Sequence, residues 1–255
     1  MTYRSAITPL FLLLIATSGC NKSTDQSAPP PAAIAATNSS VALPTDTNSL
    51  PPEIEIDVDK SAEHLTRGNA LLNEGKLREA ISQFQVAIRF NPDDEDLYYN
   101  LAFAQTRVGE TEAAKRSYQK ALEIYPDYVE AHNNLGNILV AEGKFDEAIE
   151  HFQKALAQDD KNASTHNNLG TAYARQNKIA RSLAHFETAV QLRPDYPDAQ
   201  FNLGNAYLFL RRIDDAIDQY NKLLQLHPDF HRAREQLQRA KAANASASQR
   251  TSKNP

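Results

Sequence analysis

Asparagines recur at fixed spacings along much of the chain. Asn100, Asn134, Asn168 and Asn202 lie 34 residues apart, Asn133 and Asn167 precede two of them, and Asn69, Asn137 and Asn205 lie 68 residues apart. A side-chain amide offers a donor and an acceptor together, so it can pair with a peptide group in both directions. A row of such amides on one face of a helix predicts recognition of an extended backbone with little regard to its side chains.

Histidines recur as well, at His64, His132 and His166 and again at His151 and His185. A metal ion needs ligand nitrogens about 2 Å away. Equivalent residues on adjacent packed helices lie about 8–10 Å apart, so we interpret these histidines as copies of a structural position and expect no metal site. The sequence has no HExxH motif or glycine-rich phosphate loop, and its one cysteine is Cys20. We therefore expect no enzyme activity, cofactor or small-molecule substrate.

The same 34-residue period governs the glycines and the apolar residues that must position these side chains. Counted from Ser61, Gly68, Gly136, Gly170 and Gly204 share position 8, and Gly75, Gly109 and Gly143 share position 15. Positions 4, 7, 8 and 11 form one stripe at helical spacing, and positions 20, 24, 27 and 28 form a second. Each copy is thus predicted to be two helices that pack through small residues at positions 8 and 20 beside an aromatic residue at position 24.

Position 7 is Leu in four copies, position 11 is Tyr in two, and Ala, an aromatic residue and Pro dominate positions 20, 24 and 32. This pattern resembles the tetratricopeptide repeat (TPR). The resemblance implies an all-α fold, a right-handed α-solenoid of five helix-turn-helix units. The predicted units are 61–94, 95–128, 129–162, 163–196 and 197–230, followed by a capping helix over 231–243 and a disordered tail over 244–255.

Two features of the array are specific to this chain. Position 15 should end the first helix in a left-handed conformation, which Gly adopts freely and Asn177 accepts, so Arg211 there predicts a distorted or strained turn. Arg67 replaces the Leu of position 7 in the first unit, which fits a terminal repeat exposed on one side.

The resemblance also implies that the first helices line a concave groove. The predicted peptide-binding residues are Asn69, Tyr99, Asn100, Phe103, Asn133, Asn134, Asn137, Asn167, Asn168, Phe201, Asn202 and Asn205. Two alternatives stay open, because asparagine is common at positions 6 and 9 throughout the family and because aromatic residues such as Phe201 and Phe209 could instead pack between first helices. Acidic residues at position 2, such as Asp96 and Glu130, replace the basic clamp of chaperone-binding TPR domains and favour a neutral or basic segment.

The N-terminal sequence predicts localisation to the bacterial cell envelope. Residues 1–19 combine Arg4, an apolar run too short to span a bilayer and small residues before Cys20, which resembles a lipoprotein signal peptide. We expect Cys20 to carry lipid, including a palmitate-type acyl chain, and to anchor the protein to the membrane. Asn21 favours the periplasmic face of the outer membrane. The alternative is ordinary signal cleavage, which would release a soluble periplasmic or secreted adaptor, or an accessory subunit of an enzyme complex.

Residues 20–60 are rich in Pro, Ala, Ser and Thr and predict a disordered tether. The array is acidic, whereas residues 231–255 carry six basic residues and one acidic residue. That basic end could contact an anionic surface or an acidic partner, or be a solvated helix face. Nucleic-acid binding is not expected from an acidic array. The sequence therefore predicts a non-catalytic scaffold for envelope, pilus or secretion assembly, whose partners are envelope proteins or peptide segments.

Overall fold

The computed structural model describes residues 56–253, with side chains through residue 245. The described residues form eleven helices and no strand: α1 (Val58–Asn73), α2 (Leu77–Phe90), α3 (Glu95–Val108), α4 (Thr111–Ile124), α5 (Val129–Ala141), α6 (Phe145–Gln158), α7 (Ala163–Arg175), α8 (Ile179–Leu192), α9 (Pro197–Phe209), α10 (Ile213–Leu226) and α11 (His231–Lys253). The first ten helices form five packed pairs. The all-α solenoid predicted from the 34-residue period is confirmed.

Each pair is held together by a ring packed against a backbone. A Cβ atom added to Gly136 would lie 2.6 Å from Cε1 of Phe152, and the glycines at position 8 of repeats 1, 4 and 5 face the ring at position 24 in the same way. Phe152 is fully buried. The glycine is therefore required by close approach, and its conformational freedom is not used there.

Neighbouring repeats pack through positions 3, 7 and 10 of each first helix. These residues are buried in repeats 2 to 5 and at the same positions of α11, as Leu97, Leu101 and Ala104 illustrate. Their counterparts in repeat 1, Glu63, Arg67 and Ala70, are exposed. The expectation that Arg67 marks a terminal repeat is confirmed.

The turn between the two helices uses a left-handed residue in all five repeats. Gly75, Gly109 and Gly143 have φ values between 77° and 84°, and Asn177 and Arg211 follow them at 60° and 61°. Arg211 therefore adopts the same conformation as the glycines, so its backbone is strained while the shape of the turn is kept.

Two boundaries differ from the prediction. Helix α1 begins at Val58, inside the predicted tether, because the Asp57 side chain accepts a hydrogen bond from the Lys60 amide and caps the helix. Helix α11 continues to Lys253, so the prediction of a disordered tail from residue 244 is wrong through residue 253; this alanine-rich stretch holds no Gly or Pro to end the helix. The predicted signal peptide, Cys20 and the tether as far as residue 55 lie outside the described residues.

The predicted capping helix is confirmed, and it copies a first helix. Ala233 and Leu237 of α11 are buried against repeat 5. Arg234 Nη2 donates to the Pro228 carbonyl at 2.6 Å, across the same six-residue separation at which position 4 of repeats 3 and 4 contacts the preceding loop. In the stretch from residue 56 to residue 253, no helix combines the length and apolar character that crossing a membrane requires.

Candidate functional site

The first helices of adjacent repeats are joined by their side-chain amides. Asn168 Nδ2 donates to Asn133 Oδ1 at 3.0 Å, and Asn202 Nδ2 donates to Asn167 Oδ1 at 3.0 Å. In the same register Asn134 Nδ2 donates to the Tyr99 hydroxyl at 3.3 Å. Position 6 of one repeat thus bonds position 5 of the repeat before it, and the asparagine row works as a set of bonds between repeats.

Three predicted groove residues are wrong as ligand contacts because they are buried. Asn167, Asn202 and Phe201 are 3%, 1% and 0% exposed. The Phe201 ring packs against Phe230 with ring centroids 5.5 Å apart, and the Arg232 guanidinium covers it at 5.1 Å. The last repeat loop and α11 therefore close this end of the inner face, and Phe201 belongs to the packing alternative.

Two other predicted groove amides already make hydrogen bonds within the protein. Asn205 accepts a hydrogen bond from the hydroxyl of Tyr220 at 2.7 Å, and Asn100 Nδ2 donates to the Asp96 carbonyl at 2.8 Å. Asn69 is partly exposed in repeat 1, and Asn168 is partly exposed in repeat 4. These residues stay predictions as ligand contacts.

The remaining predicted residues come together between repeats 2 and 3. We call Tyr99, Phe103, Asn133, Asn134 and Asn137 the Tyr99 surface. Four of its residues are partly exposed, and Asn137 is exposed. The Tyr99 ring contacts the Phe103 ring at 6.5 Å between centroids, on α3, and the three asparagines lie on the next first helix, α5. Apolar rings and amides are thus side by side on one accessible face.

The edges of the inner face carry opposite charges. Asp96 accepts a short hydrogen bond from the Tyr128 hydroxyl, and Asp198 pairs with Arg232 at 3.3 Å. Glu130 is exposed at the start of α5, and Arg107 is exposed at the end of α3. The acidic edge predicted at position 2 is therefore accessible at Glu130, whereas Asp198 is engaged by α11.

Histidines at positions 4 and 23 of the same repeat are in contact in repeats 3 and 4. Nδ1 of His132 lies 2.8 Å from Nδ1 of His151, and Nδ1 of His166 lies 3.1 Å from Nδ1 of His185. Their ring centroids are 5.1 Å and 5.4 Å apart, so in each pair the nitrogens face each other along the line between the rings. A zinc ion on that line would hold two nitrogens about 4 Å apart. The geometry is that of a hydrogen bond.

The proton positions follow from the neighbouring carbonyl. Nε2 of His132 lies 2.9 Å from the Pro126 oxygen, which can only accept, so this nitrogen carries the proton. In the neutral ring Nδ1 is then the acceptor, and His151 donates to it. Burial, together with the His132 ring and Lys154, lowers the pKa of His151 to about 4, and burial also lowers the pKa of His132 and of His185.

The signal for this pairing was present in the sequence. His132 and His151 are 19 residues apart, as are His166 and His185, and His64 contacts Gln83 at the same separation and 2.8 Å. A comparison of equivalent positions between repeats does not reveal this contact, because it joins positions 4 and 23 of the same repeat. In the part of the chain that the structure describes, no three His, Cys, Asp or Glu side chains are grouped so that they could hold a metal ion.

Comparisons with known proteins agree with this geometry. Family models described as TPR repeat or tetratricopeptide repeat match residues 68–109, 136–177, 167–230, 117–150 and 95–128, which together cover residues 68–230 without a gap. No curated protein matches the chain.

Solved structures share the fold at low identity. MamA from Desulfovibrio magneticus RS-1 is 20% identical with a TM-score of 0.62, covering 68% of this chain and 97% of its own. PilF from Pseudomonas aeruginosa is 19% identical with a TM-score of 0.64, covering 77% and 94%. YrrB, described as a TPR protein with an unusual peptide-binding site, is 19% identical with a TM-score of 0.58, covering 69% and 90%. The chain belongs to the tetratricopeptide repeat family.

Proposed function

We propose that this protein is a non-catalytic scaffold that holds a peptide segment of a partner protein on the Tyr99 surface. One observation carries the proposal. Positions 5, 6 and 9 are accessible between repeats 2 and 3, whereas Asn167, Thr171 and Asn202 at these positions of repeats 4 and 5 are buried. A partner that binds the inner face would therefore contact the N-terminal half of the repeat array.

The Tyr99 surface offers the two kinds of contact that a peptide needs. The partly exposed rings of Tyr99 and Phe103 provide apolar area of the type that concentrates binding energy. Asn137 is exposed, and Asn133 uses its oxygen toward Asn168 while its Nδ2 can still donate. These amides can pair with a peptide backbone. The peptide-binding site named for YrrB supports this use of the fold.

Site-specific crosslinking tests the binding surface. A photoreactive phenylalanine analogue at Asn137 should crosslink a partner in the native envelope, and the same analogue at exposed Glu150 on α6 is the matched control. The Asn137 product should be lost in the Phe103→Ala variant. Crosslinks that form equally from both positions, or that survive Phe103→Ala unchanged, would contradict a role for the Tyr99 surface.

We also propose that the scaffold is attached to the cell envelope by lipid on Cys20, at the periplasmic face of the outer membrane. The support is the sequence pattern before that cysteine. Metabolic labelling with a fatty acid should mark the parent chain and not Cys20→Ala, and fractionation should place the labelled chain with the outer membrane. An unlabelled parent would favour the alternative of a soluble periplasmic or secreted adaptor.

A further inference from the structure

We infer that the segment bound by the Tyr99 surface is proline-rich, adopts the polyproline II conformation and carries a basic residue. The inference rests on the proposed function and names the class of peptide that this surface fits. Three features of the described residues lead to it: the arrangement of the rings, the amides beside them and the charge at the edge.

The rings form a ridge of nearly parallel planes. Tyr99 lies between Tyr128, with centroids 5.0 Å apart and planes 28° apart, and Phe103, at 6.5 Å and 23°. Tyr125 lies beside this ridge, 5.9 Å from Tyr128 with its plane tilted by 52°, and is 48% exposed. Polyproline II segments dock on aromatic-lined surfaces, because flat apolar proline rings pack against aromatic side chains.

The ridge is fixed before a ligand arrives. The Tyr128 hydroxyl donates to Asp96, and Asn134 donates to the Tyr99 hydroxyl, which keeps its own proton for another acceptor. Tyr99 also packs against Tyr118, which is 1% exposed. A rigid surface suits a polyproline II ligand, since neither partner then loses much conformational freedom on binding.

The amides lie beside the rings on the next first helix. Asn134 of α5 donates to the Tyr99 hydroxyl of α3, so the two helices meet along this surface. A ligand seated on Tyr99 and Phe103 of α3 therefore passes Asn133 and Asn137 of α5 as it crosses to the next repeat. Carbonyl groups of polyproline II have no internal partners, so the amides on α5 supply donors to them.

The charge at the edge calls for a basic residue. Glu130 is exposed beside this path at the start of α5, and Asp96 lies at the start of α3. Arg107 occupies the opposite end of α3. A lysine or arginine in the ligand therefore gains attraction at the acidic edge, and the charge pattern sets the direction of the peptide.

Fluorescence polarisation with a labelled 12-residue peptide of repeated Pro-Pro-Lys triplets tests this inference, using the full chain with Cys20→Ser. We expect saturable binding, and at least tenfold weaker binding of a charge-matched peptide in which alanine replaces every proline. Phe103→Ala should weaken binding of the proline peptide at least fivefold, whereas Phe209→Ala, which removes a 46% exposed ring in repeat 5, should leave it unchanged. Glu130→Gln should weaken it about two- to fivefold, with the loss removed by high salt.

Equal binding of the two peptides, or equal effects of Phe103→Ala and Phe209→Ala, would overturn the inference. Thermal unfolding of each variant shows whether a loss of binding comes from a loss of folding. If the proline peptide fails to bind while crosslinking from Asn137 still depends on Phe103, the inference fails and the proposed function stands. If that crosslinking also fails, both fail.

Discussion

At the scale of single residues, the paired histidines connect protonation to the packing of the repeats. His132 bonds His151 within its repeat and the Pro126 carbonyl of the preceding loop, and His166 does the same with His185 and the Asp160 carbonyl. Each pair accommodates one added proton, since the donating ring, that of His151 or His185, can be charged while it still donates to its partner. A second proton places hydrogens on both facing nitrogens and breaks the bond.

We predict that the free energy of unfolding falls as the pH is lowered from 7 to 5. The pKa values of His132, His151 and His185 are lowered in the folded state, and that of His151 is about 4. Because the unfolded chain binds protons near pH 6.5, stability is fully present above that pH and is lost as pH falls toward the folded pKa. Urea unfolding at both pH values should show this loss, of which His151 alone contributes about 2 kcal/mol at pH 5.

The variant His151→Gln with His185→Gln is the matched test of this prediction. Gln83 already occupies this position in repeat 1 and contacts His64, so an amide fits the space and does not titrate. Lys154 and Asp127 face the His132 pair and are unchanged in the variant. A variant as sensitive to pH as the parent would show that other groups cause the loss.

Arg211 gives a second prediction at this scale. Its φ of 61° is costly for a residue with a Cβ atom, while glycine occupies the same turn in repeats 1 to 3. Arg211→Gly should therefore raise the free energy of unfolding by about 1 kcal/mol, measured by denaturant titration. Asn177→Gly, at a φ of 60°, should gain less, because asparagine tolerates this conformation. A loss of stability in Arg211→Gly would contradict the strain.

At the scale of the helices, the amide bonds between repeats change what the asparagine row is expected to do. Replacing Asn134 and Asn168 by alanine would test ligand contact alone only if both side chains faced an open groove. Both donate to the preceding repeat. Their loss therefore lowers stability as well as any affinity, and Asn137 is the residue whose replacement separates the two effects.

We predict that Asn202→Ala destabilises the protein by about 1–3 kcal/mol, because it leaves the buried Asn167 oxygen without the donor that now lies 3.0 Å away. Asn137→Ala, at an exposed position of the same asparagine row, should change stability by less than about 0.5 kcal/mol. Denaturant unfolding of the two variants provides the comparison. Equal effects would mean that the bond between repeats contributes little.

The helices and their turns could be predicted from sequence because they depend on residue types within one repeat. Gly136 against Phe152 and Gly143 at the turn are read directly from position and spacing. The burial of Asn167 and Asn202 could not be predicted in this way, since a repeated pattern treats every copy as equivalent. Phe230 and Arg232 cover Phe201 in the last copy, and Asn167 contacts Asn202 of the following repeat and the Tyr196 hydroxyl. The predicted groove therefore extends too far at its C-terminal end, where Asn167, Phe201 and Asn202 are buried.

At the scale of the whole molecule, α11 completes the stack by taking the position of another first helix. Deleting residues 231–255 would expose the face of α10 that α11 now covers, where Tyr220 and Leu223 are fully buried. We predict a loss of at least 2 kcal/mol in unfolding free energy, together with self-association. Unfolding and light scattering measure both. Deleting residues 246–255 alone is the control and should preserve stability, and equal stability of the two truncations would contradict a capping role for α11.

The exposed Glu63 and Arg67 of repeat 1 have a consequence for how many molecules can join. Were these positions apolar, as Leu97 and Leu101 are, the start of one array could dock on the end of another by the contact that joins successive repeats. Such a head-to-tail contact does not close on itself and propagates into a filament. A carboxylate and a guanidinium that would have to lose water oppose it. We therefore expect Glu63 and Arg67 of the first helix to disfavour end-to-end polymerisation of the repeat array.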